Sequence, residues 1–330
     1  MVSLSPVRPT SSRLPAVLPR LSATAIRTPA LVALVVLVFG SHFVLGPELV
    51  LVLAAVLGLA VYRLSPPGAG ARVWAIYLVA ILLFSYLRAA ADDIGPRAQL
   101  QYPLSGDRAL FGGILPTLWL QEHLYQPGRF SLVEWAAVTM HFTLFVLPHT
   151  VGLLLWRLDP VRFRRYVTAL ILTLVIATAV SAAVPTAPPW MAAEAGRTPP
   201  ISRLLIASIE ARGGSIEHAA KSAASENPVA AMPSVHLAAA VLIAFAAWRG
   251  AWPLRLLGLG YVLAMAFALV YLGEHYVVDL LAGAFVAALA LRLTTRLQRR
   301  VTAPASASPA PAGGPHSAAS TATNAAAAHM

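Results

Sequence analysis

Residues 253–295 read PLRLLGLGYVLAMAFALVYLGEHYVVDLLAGAFVAALALRLTT. Two apolar runs, 253–272 and 275–295, are separated only by Gly273-Glu274, and His275 and Asp279 stand at the head of the second. Each run is close to the ~20 residues that a helix needs to cross a bilayer. The charged and titratable groups collect at the ends of the runs and leave their middles bare. That pattern belongs to a pair of membrane-spanning helices with polar chemistry at one shared end.

The same pattern recurs outward. Further candidate spans lie at 29–46, 47–64, 72–91, 132–156, 164–184 and 232–248, which makes eight in all. The first two are short and meet at Gly46-Pro47, as a tight hairpin would. Composition agrees. Apolar residues make up 58% of the 330 and charged residues only 11%, too few to cover a soluble protein of this length. The fold class expected is all-α, a polytopic membrane helix bundle.

The formal net charge is +11, carried almost wholly by arginine, since Lys221 is the only lysine. The arginines sit in short connections, not in a basic stripe interleaved with aromatics, so nucleic acid is not expected as a partner. Arg8, Arg13, Arg20 and Arg27 precede the first span. Arg63 and Arg72 flank the second connection, and Arg157, Arg162, Arg164 and Arg165 crowd the fourth. Arg249 and Arg255 flank the sixth, and Arg292, Arg296, Arg299 and Arg300 close the eighth span. With eight spans all of these fall on one side, which predicts cytoplasmic N- and C-termini. The chain has no cysteine, which excludes disulfides and thiolate chemistry.

Residues 1–28, rich in Pro, Ser, Thr and Arg, are expected to form a flexible cytoplasmic tail, and 301–330, mostly Ala, Pro, Ser and Thr, a disordered one. The run from Pro29 lacks a small-residue cleavage site and is followed at once by another apolar run, so it reads as an uncleaved anchor. Two long connections fall on the opposite side from the arginines. Residues 93–131 carry Phe111, Leu115, Leu118, Trp119 and Leu120 and read as interfacial or re-entrant. Residues 185–231 open on Pro185-Thr186-Ala187-Pro188-Pro189-Trp190 and turn polar; the Pro-Pro-Trp turn is expected to be an interfacial anchor. No internal repeat is visible.

Titratable groups at membrane helix ends mark functional sites. Two segments qualify, Met232-Pro233-Ser234-Val235-His236 and Gly273-Glu274-His275-Tyr276-Val277-Val278-Asp279. His275 and Asp279, four apart, share a helix face. A carboxylate on one imidazole nitrogen fixes the tautomer and leaves the other nitrogen free to act as a nucleophile. His236 and His275 are 39 residues apart, roughly 58 Å of helix or about two bilayer crossings. Both histidines are therefore expected at the outer surface, each in the first turn of its helix. Pro233 suits a first turn. The amides and dipoles of the two helix ends, with the Ser234 hydroxyl, are expected to cradle phosphate without a metal or other cofactor. In the mechanism this suggests, His275 attacks phosphorus, protonated His236 donates to the leaving oxygen, and water or an alcohol then takes the phosphoryl group.

At these residues the chain resembles the phosphatidic acid phosphatase type 2 (PAP2) superfamily. Pro233-Ser234-Val235-His236 is similar to its second motif, Pro-Ser-Gly-His. His275 and Asp279 match the second half of its third motif, Ser-Arg, five residues, His, three residues, Asp. The resemblance implies that His275 is the nucleophile and His236 the acid. It also implies a six-helix catalytic core at 72–295, here preceded by a helix pair at 29–64. The chain departs from the family at the Ser-Arg positions, which hold Ala268 and Leu269, and at the first motif, whose place holds Pro185 to Trp190. The Met-Pro-Ser-x-His and Gly-x-His-Tyr-x-x-Asp forms resemble the inositol phosphorylceramide synthase and inositolphosphotransferase branch.

Phosphate neutralisation then needs another cation. Arg88, near the outer end of the third span, is the first candidate, set against a snorkelling pair with Asp92. Arg197, Arg203, Arg212 and Lys221 follow. His141 and His149, within the fourth span, could line the cavity but are read first as packing or interfacial residues. His42, His123, His218, His316 and His329 have no evident partner in the sequence.

The expected function is a lipid-phosphate phosphatase or phosphotransferase at the extracytoplasmic face of the plasma membrane, with lipid phosphate and the bilayer as partners. The alternatives are a transferase that moves a phosphoalcohol headgroup to a lipid hydroxyl, and a non-catalytic lipid transporter with a relic site.

Overall fold

The computed structural model describes residues 27–36, 47–94, 98–212 and 231–302. The described residues are helical apart from connections and two isolated bridges. In chain order the helices are α1 (Arg27–Val36), α2 (Pro47–Leu64), α3 (Gly70–Ile94), α4 (Gln101–Leu110), α5 (Pro116–Leu124) and α6 (Leu132–Phe142). After a 3-10 turn (Thr143–Phe145) come α7 (Leu147–Leu158), α8 (Pro160–Ala183), α9 (Pro189–Glu194), α10 (Leu204–Arg212), α11 (Val235–Ala247), α12 (Trp252–Tyr271) and α13 (Val277–Thr302).

The chain is a multi-pass membrane protein built as a helix bundle, with four to five candidate membrane spans among the described residues. Four segments are long and apolar enough to cross a bilayer alone: Gly70–Leu87, Pro160–Ala183, Trp252–Tyr271 and Val277–Arg299. The expected span at 132–156 is a pair, Leu132–Phe145 and Leu147–Leu158, bent by 48°. Pro148 lies in the first turn of the second member and cannot continue the hydrogen bonding of the first. Arg27–Val36, Val52–Leu64 and Val235–Ala247 are apolar but shorter. The rest of the expected first span, 37–46, lies outside the described residues, as do 1–26, 213–230 and 303–330.

Arginines tie one end of the bundle together. Arg72 Nε donates to Ser65 O at 2.8 Å, Arg164 Nη2 to Gly68 O at 2.6 Å and Arg165 Nη2 to Thr295 Oγ1 at 2.9 Å. Arg162 Nη2 donates to Ala246 O. The ends of α11 and α13 that carry His236, His275 and Asp279 are therefore the opposite ends. α11 has 13 residues against 20 in α12, a difference of about 10 Å of helix.

Between membrane helices, close van der Waals packing and small residues replace water-driven burial. A methyl on Gly258 of α12 would meet Ala244 Cα of α11 at 2.9 Å, so these backbones touch through small side chains. Trp74, Tyr77, Phe163, Tyr166 and Leu242 fill the larger space among α3, α8 and α11.

The two long connections are folded. α4 and α5 occupy 101–124 and leave Leu110, Phe111, Ile114 and Trp119 exposed. α9 and α10 occupy part of 185–231. Gln121 of α5 binds three backbone groups at the site end. Its Nε2 donates to Ser202 O and Tyr271 O, and its Oε1 accepts from Ser202 N, each at 2.9 Å.

Candidate active site

Ser234 is the N-cap of α11. Its backbone is extended and its hydroxyl accepts from Leu237 N at 3.4 Å, the usual use of serine at a helix start. Pro233 lies two residues before the helix, after a cis Met232–Pro233 bond, and not in the first turn as the sequence suggests. The Ser234 amide donates to the Asp279 carbonyl at 3.0 Å. This seats the cap on α13 beside Gly283, where any side chain would run into the Ser234 carbonyl oxygen. His236 follows as the second residue of α11 and is partly exposed.

His275 is not in the first turn of α13; it stands two residues before that helix. α12 ends at Tyr271, and in the turn that follows Gly273 has a φ of +81°, which favours glycine. The turn folds back so that the Leu269 carbonyl accepts from Glu274 N at 3.2 Å and His275 N at 3.3 Å. Asp279 is wholly buried, and its Oδ2 accepts from Tyr276 N at 2.8 Å. His275 Nδ1 faces that same oxygen at 3.7 Å, an ion-pair and not a hydrogen-bond separation. On the other side of the ring, Nε2 lies 3.3 Å from Ser234 Oγ.

The three catalytic candidates and Ser234 thus come together from two separate turns. The His236 and His275 rings are 5.8 Å apart and inclined at 66°. A third ring joins them. His141 of α6, buried, lies 4.4 Å from His236 at an interplanar angle of 35°. In the sequence His141 could line the cavity, with packing or interfacial roles favoured; the structure places it against His236.

The amide cradle is only half available. At the start of α13, Val277 N and Val278 N each donate to the Asp107 carboxylate at 3.0 Å, and Tyr276 N is taken by Asp279. Carboxylates therefore satisfy this helix end. The Ser234 hydroxyl and the opening of α11 are left to meet a ligand. Burial pushes the Asp107 carboxyl up to about 6, against the pull of its two amide bonds, and the Asp279 charge adds to the rise. Asp107 was not singled out from the sequence.

Ala268 and Leu269, at the positions where the family motif has Ser-Arg, are fully buried in apolar packing. Among the described residues, the basic candidate Arg203 is bonded to the nucleophile's turn. Its Nε donates to Glu274 Oε1 at 3.0 Å, its guanidinium covers the Trp190 ring at 4.3 Å, and the next amide, Leu204 N, donates to Leu272 O at 3.2 Å. Trp190 is thus a platform for Arg203. Arg197 is exposed. Arg88 lies on α3 and Arg212 ends α10, but their side chains, like that of Asp92, fall outside the described residues, as does Lys221. His149 bonds Tyr77 Oη at 3.0 Å and His123 stacks on Trp119, both apart from the site. His42, His218, His316 and His329 lie outside the described residues. Among the described residues no group of three or more His, Asp or Glu side chains is arranged to hold a metal ion.

A family model described as the PAP2 superfamily matches residues 104–293, more than half of the chain. The match begins within α4 and takes in every residue of the site. No curated protein and no solved structure gives a significant match.

Proposed function

The chain belongs to the PAP2 superfamily, and from that premise we propose that it is a membrane lipid-phosphate phosphoesterase working through a phosphohistidine on His275. The observation that carries this reading is the placement of His275 Nε2 beside Ser234 Oγ at 3.3 Å, with the His236 ring 5.8 Å from the His275 ring. A phosphoryl group bound between the rings meets a nucleophile, a hydroxyl donor and a proton donor at once.

The steps balance as follows. The His275 Nε2 lone pair forms the N–P bond while the bond from phosphorus to the lipid oxygen breaks. The leaving oxygen takes a proton from His236. The phosphoimidazolium is positive, and the Asp279 carboxylate beside Nδ1 stabilises it. Neutral His236 then removes a proton from water, whose oxygen attacks phosphorus, and the N–P bond breaks to restore His275. An alcohol in place of water makes the same site a transferase. Phosphoryl transfer needs mainly position and charge neutralisation. In this reading Ser234 supplies a hydrogen bond, and Arg203, held over Trp190, supplies the cation that Ala268 and Leu269 do not.

The arginine-tied end of the bundle is assigned to the cytoplasm and the site to the extracytoplasmic face of the plasma membrane. Lipid tails then remain in the bilayer while the phosphate enters between the His236 and His275 rings.

The test is phosphate release from lipid phosphates by purified protein in mixed micelles, in chelator, with and without an added alcohol such as inositol. Release without alcohol, lost in His275→Ala, supports the phosphoesterase. Strict dependence on alcohol makes the protein a transferase. No turnover of any lipid phosphate under either condition overturns the reading and returns the transporter alternative.

A further inference from the structure

α4 touches both halves of the site, although it lies in a connection outside the membrane-spanning helices. Toward the nucleophile, Asp107 Oδ2 accepts from Val277 N and Oδ1 from Val278 N, each at 3.0 Å, and the side chain is completely buried. A methyl on the preceding Gly106 would meet Val278 Cγ1 at 2.8 Å, so α4 rests directly on the start of α13. Leu104 packs with Tyr276 and Val278. Toward the proton donor, Tyr102 Oη donates to Met232 Sδ at 3.4 Å and bonds Thr186 Oγ1. The Thr186 carbonyl in turn accepts from Ala231 N at 3.1 Å.

We propose that Asp107 is a positioning residue: its carboxylate holds the entry of α13, and with it His275 and Asp279, while Tyr102 on the same helix braces the approach to His236. The inference rests on the phosphoesterase reading above. Two amides fixed by two oxygens of one carboxylate leave the first turn of α13 little freedom to rotate. A neutral amide has one acceptor oxygen for those two donors and turns an NH2 toward the second.

Asp107 is not simply a stabilising cap. The groups facing it are Asp279, Tyr276 and Arg108: the Asp279 charge adds to the rise of its pKa, and burial first, then the charges of Asp279 and Asp107, raise that of the Tyr276 phenol while Arg108 lowers it. Burial above all holds the Asp107 carboxyl near 6 against an ordinary 3.8. The folded chain therefore binds this proton more tightly than the unfolded chain. As pH falls through about 6 toward 3.8, the folded state gains stability at this residue. Above that window ionised Asp107 costs stability. A residue kept charged at such a cost serves position.

The test uses full-length protein in micelles, turning over a lipid phosphate at about pH 8, where Asp107 is ionised. Asp107→Asn is expected to lose about tenfold in kcat with KM within about twofold, measured well below its melting temperature. Unchanged kcat, or a loss carried by KM alone, overturns the proposal. Val277→Pro removes one donor at a position where proline fits a helix start and leaves Asp107 intact. It is expected to lower kcat in the same direction, and the double variant to fall no further than Asp107→Asn alone; additive losses overturn the proposal. If Asp107→Asn does not fold, Val277→Pro decides alone. A wild type without turnover refutes the phosphoesterase reading, whereas an active wild type with unaffected variants refutes only the role of Asp107.

Discussion

The Ser234 hydroxyl stands 3.3 Å from His275 Nε2, on the side of the ring away from Asp279, and the same oxygen accepts from Leu237 N to cap α11. One atom thus joins the start of the proton donor's helix to the nucleophile. Ser234→Ala is expected to lose about 1 kcal/mol of stability, the usual cost of a missing N-cap. It is also expected to lose about tenfold or more in kcat, as for a hydrogen bond to developing charge. Thermal melts and steady-state kinetics separate the two effects. Ser234→Thr, which keeps the hydroxyl, should recover most of both.

Gly283 is where the cap of α11 rests on α13. A side chain there strikes the Ser234 carbonyl oxygen, while Gly260 of α12 has nothing within 4 Å of an added methyl. Replacing an interior helix glycine by alanine ordinarily adds about 0.5–1 kcal/mol. Gly260→Ala should follow that rule and keep full activity. Gly283→Ala should reverse it, with activity reduced at least about tenfold because Ser234 and His236 are displaced together. Equal behaviour of the two variants in melts and turnover would contradict the packing described.

The role of His236 is read from leaving groups. His236→Gln removes the proton donor but not the nucleophile. Its loss of rate should be about 10²–10⁴ on a lipid phosphate, whose alkoxide needs a proton. On an aryl phosphate, whose phenolate leaves without one, the loss should be much smaller. A uniform loss on both substrates would assign His236 to binding.

Arg203 is held between Glu274 and the Trp190 ring. If its guanidinium neutralises the substrate phosphate, Arg203→Gln should raise KM several-fold or more, as expected when a charge-assisted hydrogen bond is lost. Glu274→Gln should retain phosphate affinity. An unchanged KM for Arg203→Gln would assign the pair to holding the turn around Gly273.

The sequence carried the bundle and the pairing of the two histidine segments because both depend on local signals. Long apolar runs declare themselves, and residues four apart share a face wherever a helix or its cap continues. Depth was less legible. Matching 39 residues to two crossings assumes full-length spans, whereas α11 has 13 residues, and no local signal shows that His236 meets His141. The cradle was misjudged for a related reason. A helix start shows its free amides in sequence, but not the carboxylate that another segment brings to them. Asp107 is 170 residues from Val277, and no periodicity joins them. Arg203 stands among the basic candidates in the sequence, but its bond to Glu274 depends on the folding of the connection between α9 and α10, which no local pattern shows.

The central claim is that phosphorus becomes bonded to His275. Purified protein quenched during turnover of a ³²P-labelled lipid phosphate should carry label that is stable to base and lost in acid, as a phosphoramidate is, and peptide mapping should place it on His275. Label of that kind, absent from His275→Gln, is the predicted result. Turnover at an undiminished rate by His275→Gln, or label residing on another side chain, would contradict it.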